Sequence, residues 1–176
     1  MKKLTFTFIS LAFAVSLAQG ADPAQESVRK LSISEIHADA GVLEGQQYVA
    51  TGQPDEEVLK EAREAGFAAV VDLRTEGEDR GFDEPAVVNA LGMSYHSIPV
   101  TGAAGTTFDN AKRLDEVLSG IDGPVLVHCA SGNRVGALFA LRASLHGASD
   151  EEALEVGKAA GLTRLEPAVT KQLEKN

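Results

Sequence analysis

Short apolar runs alternate with segments of helical spacing along most of this chain of 176 residues, and that alternation leaves few folds open to it. Residues 47–51, 67–73, 93–98 and 125–128 read as strands. The 67–73 run is almost wholly apolar and carries two valines, the pattern of a strand buried on both faces. Between the strands, Val58, Leu59, Ala62 and Ala65 recur at helical spacing, with Gly66 as a stop. Pro54 is expected at the first helical position, with acids at 55–57 on the positive helix end. Residues 85–91 form a short helix. Thr106 or Thr107 caps another that carries Phe108, Ala111, Leu114 and Leu118 on one face. Residues 134–145 follow the last strand as a helix of small and apolar residues. Ser149 with Glu152 makes a capping box, and residues 162–173 form a final amphipathic helix with Pro167 in its first turn. Strand–helix alternation of this kind predicts a single α/β domain with a central, mainly parallel sheet flanked by helices.

The first twenty residues stand apart from that pattern. Lys2 and Lys3 open the chain, residues 4–17 are uncharged and apolar, and Ala18 and Gly20 put small residues where a signal peptidase reads them. An apolar run of about fourteen residues is short of the ~20 needed to span a bilayer. The expected organisation is a signal peptide over 1–20, an N-terminal extension over 21–44 whose Leu31, Ile33 and Ile36 suggest only a short strand or helical turn, and the α/β domain over 45–176. The expected location is periplasmic or secreted, with no stable membrane insertion after cleavage. The formal charge is −10, and losing two lysines and no acids takes it to about −12. A chain this acidic is not expected to bind nucleic acid or an anionic membrane through its general field. An anionic ligand has to be captured by local geometry.

Local geometry of that kind is offered by residues 125–136, an apolar run ending in His128-Cys129, a polar turn, and an arginine opening a helix. Cys129 is the chain's one cysteine, so no internal disulfide is possible. The backbone N–H groups of Ala130, Ser131, Gly132, Asn133 and Arg134 have no strand partner and can converge in front of the helix as an anion cradle. Gly132 permits positive φ there. Arg134 adds a planar fork suited to an oxyanion. The same positive field favours the thiolate of Cys129, the nucleophilic form, and His128 could orient or support it. The expected partner is a small anionic or phosphorylated substrate. One cysteine and four scattered histidines argue against a structural zinc site, and no metal or cofactor is expected.

The 128–134 segment resembles the signature of cysteine-dependent phosphatases. Residues 48–54, Gly66-Phe67, residues 70–74 with Glu76-Gly77-Glu78, residues 96–100 and residues 123–127 extend the likeness. Together they are similar to the bacterial beta-lactamase-hydrolase-like, phosphatase-like domain family, a branch near the dual-specificity phosphatases, over roughly residues 45–145. The resemblance implies phosphomonoester hydrolysis with Cys129 as nucleophile, a phosphocysteine intermediate, and Arg134 binding the phosphate.

Three departures bear on the reaction. The phosphatase signature has five residues between Cys and Arg where this chain has four, a spacing also similar to that of rhodanese-type sulfurtransferases, whose cysteine carries a persulfide. Val135 stands where phosphatases usually place Ser or Thr. The loop over residues 100–105 holds no carboxylate to serve as general acid, and Asp109, the nearest, falls in a first helical turn. Sulfur transfer and a non-catalytic anion-binding module therefore stand beside phosphatase chemistry. Asp72 and Arg74, at a strand end, are possible accessory residues or a structural ion pair. Glu76, Glu78 and Asp79 could position water or substrate or form a solvated acidic loop.

Overall fold

Five parallel strands form one sheet: Val28–Lys30 (β1), Tyr48–Thr51 (β2), Ala69–Asp72 (β3), Ser94–Ser97 (β4) and Val125–His128 (β5). Their order is β1-β2-β5-β3-β4. The computed structural model describes residues 28–175, so the expected signal peptide lies outside the described residues. Seven helices among those residues flank the sheet: Ile33–Ala38 (α1), Glu56–Glu64 (α2), Glu84–Ala90 (α3), Phe108–Ser119 (α4), Asn133–Leu145 (α5), Asp150–Ala159 (α6) and Glu166–Leu173 (α7). None is long and apolar enough to cross a membrane.

The inner strands β2, β3 and β5 are buried along their whole length, and the edge strand β4 is not. Because side chains alternate across a strand, the sheet feeds two cores. Ala50, Val71, Val125 and Val127 face α4 and α5, where Leu114, Leu118, Leu138 and Phe139 meet them. Val49, Val70 and Leu126 face α2 and α3 and pack with Val58, Leu59, Ala62 and Val88. A third cluster joins α5 to α6 and α7 through Ala137, Leu141, Ala153, Leu162 and Val169. Helix α5 thus lies between the sheet and the outer helices, which is why its sequence is apolar on every side.

Residues 28–44, expected as an extension outside the α/β domain with only a short strand or helical turn, are built into the fold. β1 extends the sheet beside β2, Ser32 and Glu35 form a capping box on α1, and Leu31, Ile36 and Leu43 are fully or almost fully buried. Each contributes about 1.5–3 kcal/mol of burial. Two boundaries also shift. Pro54 precedes α2 rather than opening it, because Asp55 takes the cap and accepts the Val58 N–H. The last helix begins at Glu166, leaving Leu162–Leu165 as a turn; Pro167 does lie in its first turn. Thr107, rather than Thr106, caps α4.

The register sets up the site. Thr51 of β2 and Asp72 of β3 both stand opposite His128 of β5. The carboxyl ends of three neighbouring strands are therefore level, and the chain leaves the middle one at Cys129. β2 continues on the far side of β5 as β3, so this is a point where strand order switches, the edge at which open α/β sheets bind ligands.

Candidate active site

Cys129 leaves β5 on the α5 side of the sheet, in the same core as Val127 and Val135. Gly132 turns the chain with φ at 83° and becomes the N-cap of α5, with no side chain capping that helix. Its N–H donates to the Cys129 Sγ over 3.1 Å. The sulfur therefore sits against the positive end of a thirteen-residue helix, where the N–H of the N-cap residue itself reaches it. Gly52, just past β2, clamps the loop through a bridge to Ser131. Cys129 itself is 1% exposed, while Ala130 and Ser131 beside it are open to solvent.

Arg134, in the first turn of α5, reaches across the carboxyl edge of β3. Its Nη1 and Nη2 donate to the two oxygens of Glu78, each over 2.6 Å, and Nη1 also donates to the Val100 carbonyl over 3.1 Å. Glu78 in turn accepts the Thr75 N–H over 2.8 Å. The Arg134 fork holds the Glu78 carboxyl down at about 2, against the smaller opposing effect of burial. Glu78, together with the sulfur of Cys129, holds the guanidinium firmly charged. These groups line a cleft of about 530 Å³ whose walls include Val100, Thr101, Ser131, Asn133, Arg164 and Leu165. Glu78 is the one carboxylate on its lining, and it is ionised.

His128, Asp72 and Arg74 do not face this cleft. The two-residue period of a strand turns His128 and Asp72 to the opposite face from Cys129, toward α3. There they meet Arg74 and Glu84, all four at most 1% exposed. Arg74 donates to Asp72 over 3.0 Å and to Glu84 and Gln53. Arg80 and the Tyr95 hydroxyl reach the other Asp72 oxygen, each over 2.9 Å. Burial pushes the Asp72 carboxyl up, but Arg74, His128 and Tyr95 outweigh it and leave it at about 2. Burial and the Asp72 charge push Tyr95 up to about 12. His128 Nε2 stands 2.7 Å from Glu84, an approach not aligned for a hydrogen bond.

Asp72, Glu84 and His128 each offer a ligand atom within 4.8 Å of the others. Arg74 already bridges the two carboxylates, so the cluster is balanced by a guanidinium and reads as an ion-pair network that braces the strand ends. Asp109 is exposed in the first turn of α4 and is absent from the cleft lining. The side chain of Asn133, expected only as part of the cradle, turns outward and accepts from the N–H groups of Thr163 and Leu165. The spacing of the sequence brings out Cys129 and Arg134. It does not pair Glu78 with Arg134, place Glu84 beside His128, or bring Arg164 to the cleft.

Comparisons with known proteins bear on the family and the fold. Residues 42–146 match the model of the beta-lactamase hydrolase-like protein, phosphatase-like domain. A beta-lactamase hydrolase-like protein of Agrobacterium fabrum is 31% identical over 115 residues, covering 62% of this chain and 26% of its own length. One of Xylella fastidiosa is 30% identical over 109 residues, covering 60% and 25%. The chain thus spans about a quarter of the length of these relatives. Among solved structures, a Neisseria meningitidis protein assigned only provisionally as a phosphatase superposes with a TM-score of 0.63 at 18% identity, over 74% of this chain and 94% of its own. TpbA of P. aeruginosa, solved in complex with phosphotyrosine, gives 0.51 at 18% identity over 70% and 76%. These likenesses carry the fold, while the family model covers more than half of the sequence, from the 3-10 turn before β2 to the end of α5: the chain belongs to the beta-lactamase hydrolase-like protein, phosphatase-like domain family.

Proposed function

We propose that this chain is an exported, cysteine-dependent phosphomonoester hydrolase. The observation that carries the reading is the Cys129 sulfur held by the Gly132 N–H at the start of α5, with the Arg134 fork on the cleft that Ala130 and Ser131 of the same loop line. In the first step the thiolate attacks phosphorus, the S–P bond forms, and the ester oxygen leaves with the P–O bond electrons. In the second, water attacks the phosphocysteine and releases inorganic phosphate and the thiolate. Backbone N–H groups of residues 130–134 and the Arg134 guanidinium stabilise the equatorial oxygens. The phosphotyrosine in TpbA supports a phosphate ester as the ligand class. Export rests on the N-terminal sequence, and cell fractionation tests it: a full-length chain retained in the cytoplasm would refute it.

The four-residue spacing between Cys129 and Arg134 favours a second reading, sulfur transfer. There the thiolate would take the sulfane sulfur of thiosulfate, release sulfite, and pass the sulfur to a thiophilic acceptor. A cradle that binds phosphate without turnover is the third. One assay separates them: the purified mature protein and its Cys129→Ser variant, given an aryl phosphate, and thiosulfate with cyanide. Phosphate release that vanishes in the serine variant supports the hydrolase. Thiocyanate formation without phosphate release supports sulfur transfer. Phosphate release that survives the serine change sinks the cysteine mechanism.

A further inference from the structure

The turn between α6 and α7 is bolted onto the Cys loop. Asn133, inside the loop, accepts from the Thr163 N–H over 2.8 Å, the Thr163 hydroxyl over 3.1 Å and the Leu165 N–H over 3.4 Å. Beneath it, Gly136 lets the turn approach so closely that a Cβ there would stand 2.1 Å from the Leu162 nitrogen. On the other side, the Lys30 side chain packs against Gly161, where a Cβ would stand 2.7 Å from Lys30 Cδ and 3.3 Å from the Gly132 carbonyl. Three contacts from separate residues thus fix one short segment against the nucleophile loop. The residue they leave projecting is Arg164, which is exposed and lines the cleft together with Ser131 and Arg134.

The charges around the cleft give Arg164 a role. Arg134 and Glu78 neutralise each other across their bidentate pair. Arg164 has no ion-pair partner among the described residues, and its neighbour Glu166 points to Lys158 instead. In a chain of net charge −10, Arg164 is the cation on the cleft lining whose charge no carboxylate offsets among the described residues. Leu165 and Val100 supply apolar wall beside it.

Resting on the phosphomonoesterase reading, we infer that Arg164 is a specificity-determining residue for phosphate esters whose leaving group carries a second anionic group, a carboxylate or a further phosphate. The reacting phosphate sits over the Cys129 loop, the body of the leaving group lies along Val100 and Leu165, and the second anion meets Arg164. The side chain is solvent-exposed, so the preference is modest, about fivefold, and shrinks with salt.

The test compares para-carboxyphenyl phosphate, para-phosphonophenyl phosphate and the neutral methyl ester of the carboxyphenyl compound. The carboxyl group and its methyl ester differ in charge at the same position. Two readouts are taken: kcat/KM in the wild type, and Kd in the Cys129→Ser variant by calorimetry. The expected result is about a fivefold preference for the charged esters in Kd, falling toward one in Arg164→Gln and largely kept in Arg164→Lys. In kcat/KM the wild-type to Arg164→Gln ratio is read for each ester, so that leaving-group reactivity cancels, and is about fivefold for the charged esters and near one for the neutral one. A preference for the phosphono over the carboxy ester would assign the second anion as phosphate, and the reverse as carboxylate. Equal binding of charged and neutral esters, or a preference indifferent to Arg164→Gln, overturns the inference. Binding preference without turnover in the wild type keeps the inference about Arg164 and removes the hydrolase reading, so the two fail separately.

Discussion

Glu78 and Arg134 meet as a two-pronged pair, each prong 2.6 Å long, on the wall of the cleft that Ala130 and Ser131 of the Cys129 loop also line. Glu78 comes from the charged loop after β3 and Arg134 from the first turn of α5, so the pair also ties the loop to the helix. With both Nη groups committed, and Val100 accepting from one of them, the guanidinium has one orientation. Replacing Glu78 by Gln keeps the shape, removes the charge and frees the arginine to swing. The expected outcome is a drop in kcat/KM for an aryl phosphate of about 10- to 100-fold, carried mainly by kcat, with partial recovery in Glu78→Asp. Steady-state kinetics decide it. A rise in kcat/KM would instead mean that Glu78 competes with substrate for the arginine.

Acid should loosen the fold through two carboxylates. Asp72 and Glu78 both lie at about 2 in the folded chain, below ordinary values of 3.8 and 4.5. A folded pKa below the unfolded one adds stability that is full above the unfolded value and disappears as pH falls through the folded one. The window is therefore about pH 4.5 down to 2. At neutral pH, Asp72→Asn leaves Arg74 and Arg80 without the charge they share, at a cost of about 3–5 kcal/mol. Urea unfolding from pH 7 to pH 2 should show the gap between wild type and Asp72→Asn narrowing only in the acid window. A gap that stays constant across that range would show that the Asp72 charge does not act through folding.

Among the described residues, no carboxyl group but that of Glu78 lines the cleft. Glu78 is ionised, and Asp109 is outside the lining. A leaving oxygen must therefore depart largely unassisted, and general acid catalysis typically supplies about 10²–10⁴-fold. Turnover should depend steeply on the leaving group, with nitrophenyl phosphate hydrolysed far faster than an alkyl phosphate. A plot of log kcat/KM against leaving-group pKa measures this directly. A flat plot would mean that an acid reaches the ester oxygen after all.

Much of this arrangement was legible in the residues, and the parts that were not share a cause. Strand alternation and the apolar inner runs lead to a parallel α/β sheet, and the loop from Cys129 to Arg134 marks its own place at the end of a strand. Both are local patterns. Residues 28–44 look weakly patterned because β1 has only three residues and α1 only six; their hold on the fold comes from Leu31, Ile36 and Leu43 meeting distant helices. His128 reads as a helper of the thiolate because it adjoins Cys129 in sequence, yet adjacency along a strand places two side chains on opposite faces. Its real neighbour, Glu84, is 44 positions upstream on α3. The pairing of Glu78 with Arg134 and the place of Arg164 on the cleft escape notice for the same reason: each arises through a contact that only the tertiary fold creates.

The close seat of α6 on α5 gives the last prediction. A Cβ on Gly136 would lie 2.1 Å from the Leu162 nitrogen and 2.6 Å from the Gly157 carbonyl oxygen. Both are backbone atoms, so no side-chain rotation relieves the clash and the helices must move apart. Overpacking of this kind costs about 1–3 kcal/mol or more. For a domain of this size that lowers Tm by about 2–12 °C. The turn at Leu162–Leu165 moves with α6, so the Asn133 bonds to Thr163 and Leu165 should weaken together. Gly136→Ala is therefore expected to lose thermal stability and, in the folded fraction, the preference assigned to Arg164. Gly120→Ala serves as the control, since a Cβ there meets nothing nearer than 3.5 Å and the residue closes α4 with a negative φ. Scanning calorimetry of the two variants separates the cases. A Gly136→Ala protein as stable as Gly120→Ala would mean that the α5–α6 interface has slack, and that the turn carrying Arg164 is not held at the spacing described.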